Sequence, residues 1–297
     1  MVAPGILLVD KPAGMTSHDV VARARRALGT RKVGHAGTLD PMATGLLVIG
    51  VEGATRLLTY IVGVGKTYEA TIRLGQSTTT DDADGEIVQA ATASAWETVT
   101  PERIREGISA LTGRISQVPS SVSAIKVDGR RAYDRVRSGE DVVLAPREVT
   151  VSRFDVRARR EADGVIDLDV VVDCSSGTYI RSLARDLGAR LGVGGHLTAL
   201  RRTKVGEFSV QDAASVDELR SAAMMSPADA ASRVMPVLHV TAEDARDLRH
   251  GKRLAGQASR IAGGAAAAID PDGVLVGVVE KRGPDLKSAM NMAEEAR

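Results

Sequence analysis

Apolar positions along the chain recur at two spacings. Ile6 to Val9 is a continuous apolar run that ends at Lys11-Pro12 and a Gly14 turn, which predicts a short buried strand. Thr16 or Ser17 then caps a helix that runs to about Leu28 and is stopped by Gly29. Val20, Val21, Ala24, Ala27 and Leu28 fall on one side of it, with Arg23 and Arg26 turned away. Tyr68, Ala70, Ile72 and Leu74 alternate with Glu69, Thr71 and Arg73, the period of a half-buried strand. Residues 78–87, TTTDDADGEI, read as a polar turn leading into another strand. Thr100-Pro101 starts a helix predicted over 101–112. Ile166 to Cys174 alternates again and passes through Ser175-Ser176-Gly177-Thr178 into a helix at about 179–191, closed by Gly192. Residues 213–235, rich in Ala and Ser, are predicted helical, and Pro236 marks a boundary. Beyond it, short strand-like pieces (VLHV, AAAAID, VLVGVVEK) surround the polar turn LRHGKRL, the pattern of a small β-rich domain.

Composition narrows the class. With 297 residues, 43% apolar and 26% charged, the chain is neither disordered nor fibrous. No apolar run reaches the length of a membrane span, and the start MVAPGILLVDKP has no basic n-region, so a cytoplasmic protein is expected. A single cysteine, Cys174, excludes an internal disulfide framework and a Cys-rich metal site. Aromatics make up only 2%, so the core is built from Val, Leu, Ile and Ala and the place of each tyrosine is informative. The net charge is +1, but it is unevenly spread: residues 20–39 carry Arg23, Arg25, Arg26, Arg31 and Lys32 with no acid. Residues 117–146 are irregular and dotted with arginines around Pro119, Gly129 and Gly139. Basic stripes on a nearly neutral chain fit a polyanion touching one face.

Metal chemistry is not expected, because His18, His35, His196, His239 and His250 lack ligand spacing. Gly63 to Thr67, GVGKT, ends like a phosphate loop, but the glycine that motif needs is Tyr60 here. The distinctive stretch is GHAGTLDPMATGLLVIG, Gly34 to Gly50, where glycines bracket one aspartate between Leu39 and Pro41. Pro41 fixes its own φ and biases Asp40 toward extended backbone, so the carboxylate stands on a stiff turn beside His35 and Thr38. Such a group suits a nucleophile or a base; the same Asp-Pro pair also reads as a plain turn start.

The run GHAGTLDPMATGLL resembles the motif of the TruB-type pseudouridine synthases, the bacterial enzymes that modify the T-arm of tRNA. VDKPAGMTSHDV, KTYEATIRLG, TDDADGEI, QVPSSVSAIKVDGRRAYDRVRSGE, SSGTYIRSLARDLGARLG and GGHLTALRRTKVG follow that family's order, over about residues 6–210. The resemblance implies an α+β fold: a mixed, largely antiparallel sheet with flanking helices, plus a small β-rich C-terminal PUA-like domain. It implies a catalytic domain over 1–235, with a basic thumb-like insertion at about 117–146, and a C-terminal domain and tail over 236–297. The implied reaction is isomerisation of uridine to pseudouridine at T-loop position 55, with the base flipped out and no cofactor. Asp40 is then the essential carboxylate, and attack at C1′, addition at C6 and removal of a ribose proton are all open to it. Arg181 is the implied cation that keeps it ionised in a dry pocket. His35, Tyr68, Tyr179 and Leu200 are the implied substrate-binding residues, with Lys11 and Asp82 at further family positions. Arg23, Arg25, Arg26, Arg130, Arg131, Arg201, Arg202 and Lys204 are expected on RNA phosphates. The implied partner is a tRNA T-arm stem-loop, met by a monomer with no membrane and no obligate protein partner. The rival reading from another class is a non-catalytic module that binds or folds tRNA.

Overall fold

The computed structural model describes residues 2–120 and 144–292, together with the backbone of Lys126–Val127 and Arg130–Arg131. Strands in the first half are β1 (Gly5–Lys11), β2 (Val33–Ala36), β3 (Thr44–Val51), β4 (Lys66–Leu74), β5 (Gln76–Thr78), β6 (Ile87–Ala90) and β7 (Gly113–Gln117). Two short strands follow, β8 (Lys126–Val127) and β9 (Arg130–Arg131), then β10 (Arg147–Ala162), β11 (Val165–Cys174) and β12 (Gly195–Val205). The last are β13 (Phe208–Ser209), β14 (Ala214–Ser215), β15 (Val237–His239), β16 (Ala265–Ile269), β17 (Leu275–Arg282) and β18 (Asp285–Asn291). Helices are α1 (Ser17–Leu28), α2 (Leu58–Val62), α3 (Ala93–Trp96), α4 (Pro101–Ala110), α5 (Ile180–Leu191), α6 (Pro227–Ser232) and α7 (Ala242–Arg249). The architecture is α+β, and no helix among the described residues is long and apolar enough to cross a membrane.

The chain divides into two compact units, one of Met1–Pro41, Gly45–Val64 and Lys204–Arg297, the other of Met42–Thr44 and Gly65–Thr203. In the first, β1 pairs antiparallel with β3 and parallel with β14, and β2 pairs antiparallel with β3. One face of these strands takes Val20, Val21 and Ala24 of α1 into a core with Leu7, Val9, Leu47 and Ile49. A four-stranded sheet, β15-β16-β17-β18, belongs to the same unit, with only β15–β16 parallel. In the second unit the strands lie in the order β12-β4-β11-β10-β7, with β4–β11, β11–β10 and β10–β7 antiparallel.

Local chemistry explains the element ends. Thr16 caps α1 through a reciprocal pair of bonds with Asp19, and those bonds hold the Asp19 carboxyl below its ordinary value. Gly29 closes α1 with φ 66° and Gly192 closes α5 with φ 77°, left-handed positions open to glycine. On β4 the residues Tyr68, Ala70, Ile72 and Leu74 are buried, as their period predicts. The helix predicted across 213–235 is not formed; only Pro227–Ser232 is helical. Glu218 ties back to Ser215, Met225 exchanges backbone bonds with Ile6, and Pro227 disfavours helical backbone before it. These local and strand contacts outcompete alanine's helical preference.

Candidate active site

In the first unit, the loop that carries Asp40 is clamped on both sides of the aspartate. The Ser17 hydroxyl, buried at the start of α1, accepts from the Leu39 amide at 2.8 Å and donates to the Leu39 carbonyl at 3.2 Å. After Asp40, the Pro41 carbonyl accepts from the Gly14 amide at 2.9 Å and from Lys11 Nζ at 3.3 Å. Lys11 is fully buried, and its ammonium also donates to the carbonyls of Pro12 (2.9 Å) and Met15 (2.7 Å). Three donors meet three carbonyls, which makes a buried ammonium tolerable. Gly14 and Gly37 take φ of 78° and 88°, which lets the chain turn into and out of this loop. Asp40 itself is half-buried. The half-buried His35 ring on β2 meets His18 edge-on, with centroids 5.6 Å apart. Arg23 and Arg26 are exposed on α1, Arg23 being 3.6 Å from Asp217, and Lys204 is exposed on β12. Arg25 instead donates to the Val33 carbonyl at 3.0 Å.

In the second unit, Tyr68 lies on the buried face of β4 and Leu200 is buried on β12. The Thr44 hydroxyl donates to the Leu200 carbonyl at 3.5 Å and accepts from Arg201 at 3.4 Å. Arg202 is buried where the sequence reading puts a phosphate contact, and Arg201 is half-buried. Tyr179 precedes α5, and its backbone amide and carbonyl are both held by the Gln117 carboxamide, at 2.8 and 3.0 Å. This replaces a side-chain cap at the start of α5.

Arg181 follows in the first turn of α5, only 3% exposed. Its guanidinium donates to the Thr80 carbonyl at 2.8 Å and to the Ser120 hydroxyl at 3.3 Å, and lies 3.5 Å from the buried Asp82 carboxylate. Asp82 also accepts from the Thr80 hydroxyl and the Asp84 amide. One turn on, Arg185 reaches Asp81 at 3.4 Å, Asp186 at 2.9 Å and the Val118 carbonyl at 2.7 Å. Burial nevertheless holds the Asp81 carboxyl above its ordinary value, against the pull of Arg185. The turn at 80–82, the start of α5 and the segment 117–120 thus form one hydrogen-bonded block. Among the predicted residues, the structure brings Arg181 and Asp82 together directly. Arg130 and Arg131 have only their backbone described, and the rest of the expected insertion, 121–143, lies outside the described residues.

Sequence reading offers Ser17 only as a helix cap and gives Gln117 no role. Ser17 and Gln117 act on backbone of residues distant in sequence, which leaves no periodic trace. Lys66 is conspicuous beside Tyr68 in the sequence: two residues earlier on the buried parity of β4, it sets a charge where an apolar residue belongs. Among the described residues, no group of three or more His, Cys, Asp or Glu is placed to hold a metal ion.

Comparison with solved structures first defines the class of fold. The chain is similar to one in a structure described as H/ACA RNP bound to a substrate RNA containing 2′-deoxyuridine, with TM-score 0.70 at 24% identity, over 98% of this chain and 85% of that one. A Cbf5-Nop10-Gar1 complex gives a TM-score of 0.68, also at 24% identity, over 98% and 84%. At such identity the likeness is one of fold. Sequence then gives the family. The model for the TruB family pseudouridylate synthase N-terminal domain matches residues 25–180. Those for the tRNA pseudouridylate synthase B C-terminal domain and the tRNA pseudouridine synthase II C terminus match 181–240 and 235–293. A protein of Leifsonia xyli subsp. xyli named tRNA pseudouridine synthase B is 60% identical over 98% of this chain and 97% of its own length. One of the same name from Arthrobacter sp. (strain FB24) is 55% identical over 97% and 96%. The chain belongs to the TruB family of pseudouridylate synthases.

Proposed function

We propose that this chain is an isomerase that converts uridine to pseudouridine at T-loop position 55 of tRNA, working as a cytoplasmic monomer without a cofactor. The observation that carries the reading is the placing of the Asp40 carboxylate on a loop clamped at Leu39 and Pro41. It is joined by membership of the family and by the names of relatives that match end to end. The reaction breaks the bond between ribose C1′ and uracil N1, turns the base and rebuilds the bond at C5. No electrons leave the substrate, so a positioned acid and a pocket suffice. Asp40 is the essential carboxylate, and Arg181 is a guanidinium of fixed geometry that serves the same chemistry. Removing the uridine from the T-loop stack costs about a few kcal/mol, repaid by stacking on Tyr68, by Tyr179 and by the Leu200 backbone, with His35 taking the vacated place. Asp82 and Lys11 act behind these, one on Arg181 and one on the Asp40 loop. Exposed Arg23, Arg26 and Lys204 meet phosphates, which position RNA without reading its sequence.

The test is Asp40→Asn, assayed by release of label from a T-arm stem-loop carrying C5-tritiated uridine. The expected result is loss of release with tRNA binding retained. Release by the Asn variant would remove Asp40 from the chemistry. Binding with no release by the unsubstituted protein would leave a tRNA-binding module.

A further inference from the structure

Two buried cations in the second unit have no part in this scheme. Lys66 precedes Tyr68 by two residues on β4 and so shares its buried face; the two are 8% and 7% exposed. Arg202, 1% exposed, is on the neighbouring β12 and close enough to repel the Lys66 ammonium. The strands are tied beside them by the Thr203 hydroxyl on the Thr67 carbonyl and the Thr198 hydroxyl on the Thr71 carbonyl, both 3.4 Å. Two like charges buried on adjacent strands beside one tyrosine cost stability, and they set cationic groups at that point of the sheet.

We propose that Lys66, backed by Arg202, stabilises the negative charge that the uracil carries once it is detached from ribose. The inference rests on the isomerase reading. When the C1′–N1 bond breaks, its electron pair stays on the base and spreads over N1, O2 and O4. The electron-poor C1′ is capped by the carboxylate, or relieved by a ribose proton that is later returned. The C1′–C5 bond then forms from the base's π electrons as the C1′–carboxylate bond breaks and releases the carboxylate, or as the ribose regains its proton. The C5 proton passes to solvent and N1 takes one from solvent. Uridine is neutral before this and pseudouridine after it, so a cation beside a base stacked on Tyr68 favours the intermediate over both.

Within the second unit, Arg202 on β12 and Cys174 on β11 both act on the Lys66 charge, and Tyr68 shares its strand face. Cys174 stands opposite on β11, its thiol pushed up to about 11 by burial. Burial, then repulsion from Arg202, brings Lys66 down to about 8. The ammonium is therefore present at neutral pH and lost as pH rises through about 8, whereas an arginine there stays charged.

The experiment is single-turnover tritium release against pH, with tRNA affinity measured alongside, for the unsubstituted protein, Lys66→Met and Lys66→Arg. The expected results are a fall in rate above about pH 8 and a loss of about 10²-fold in Lys66→Met at unchanged affinity. Lys66→Arg should keep most of the rate and move the alkaline fall upward. Release by Lys66→Met at the unsubstituted rate overturns the inference. So does an alkaline fall that Lys66→Arg leaves in place, a result that needs only the arginine variant to fold. Absence of release from the unsubstituted protein sinks the isomerase reading, and this inference with it.

Discussion

At the scale of single residues, the Asp40 loop depends on groups that carry no chemistry of their own. Ser17 satisfies both backbone groups of Leu39 with one hydroxyl, and nothing else described bonds to them. Ser17→Ala leaves a buried amide and a buried carbonyl unmet, a loss of about 1–3 kcal/mol. The Asp40 loop then loses its clamp at Leu39, and on the proposed reading a loosened carboxylate reacts more slowly. The expected outcome is a lower urea midpoint together with a single-turnover rate that falls more than tRNA affinity does. A rate unchanged despite the lower midpoint would show that the Ser17 clamp serves folding alone. Asp40 itself is legible in the sequence, because Gly37, Pro41 and Gly45 mark a stiff turn around one acid. The Ser17 clamp is not, since its bonds cross 22 residues and follow no periodicity; Lys11 is picked out only by the family resemblance, and its bond to Pro41 crosses 30.

At the scale of elements, α5 has to be held close to the turn that follows it for Arg181 to keep its place. Gly188 on α5 makes that approach possible: a Cβ there would lie 2.1 Å from the Gly194 carbonyl carbon and 2.2 Å from the Gly195 nitrogen. Alanine ordinarily gains about 1 kcal/mol over glycine inside a helix. Here the clash is with backbone, which gives way poorly, so Gly188→Ala is expected to lose about 1–3 kcal/mol or more. Thermal unfolding would show this, and an unchanged or raised midpoint would mean that α5 shifts freely. The bounds of α5 and α1 were readable because apolar spacing, cap and closing glycine all agree on them. β10 was not readable: its outer half, Arg157 to Ala162, is exposed and charged and has no apolar alternation. It is held instead by backbone pairing to β11 and by ion pairs such as Arg160–Asp169. The glycine-rich motif hid β2 and β3 in the same way, because its composition reads as a loop while pairing makes it sheet.

At the scale of the whole molecule, local charge balance separates surfaces that composition alone cannot. On β4, β11 and β10, outward side chains pair across the strands: Thr67–Asp173, Thr71–Asp169, Arg73–Asp167 and Arg153–Asp173. Around the C-terminal sheet, Arg249, Lys252, Arg253 and Arg260 are each within 4 Å of an acid, namely Asp270, Asp247, Asp285 and Asp244. Cations already matched to acids release few counterions on binding RNA, so these regions add little to affinity. The C-terminal sheet contributes apolar surface instead. Ala267, Ile269, Leu275, Val278 and Met292 belong to one core with Ile6, Leu8, Leu46 and Val48, within the unit that carries Asp40. A chain ending at Met235 would lose those partners, about 1.5–3 kcal/mol for each large side chain, and would expose the strand face they cover. Summed over Ile269, Leu275, Val278 and Met292, the loss is on the order of 10 kcal/mol, comparable with the whole stability of an ordinary domain, about 5–15 kcal/mol. The truncated chain is therefore expected to show no cooperative unfolding transition and no label release. A soluble 1–235 fragment that melts cooperatively near the full-length midpoint would show that β1 and β3 fold without that sheet.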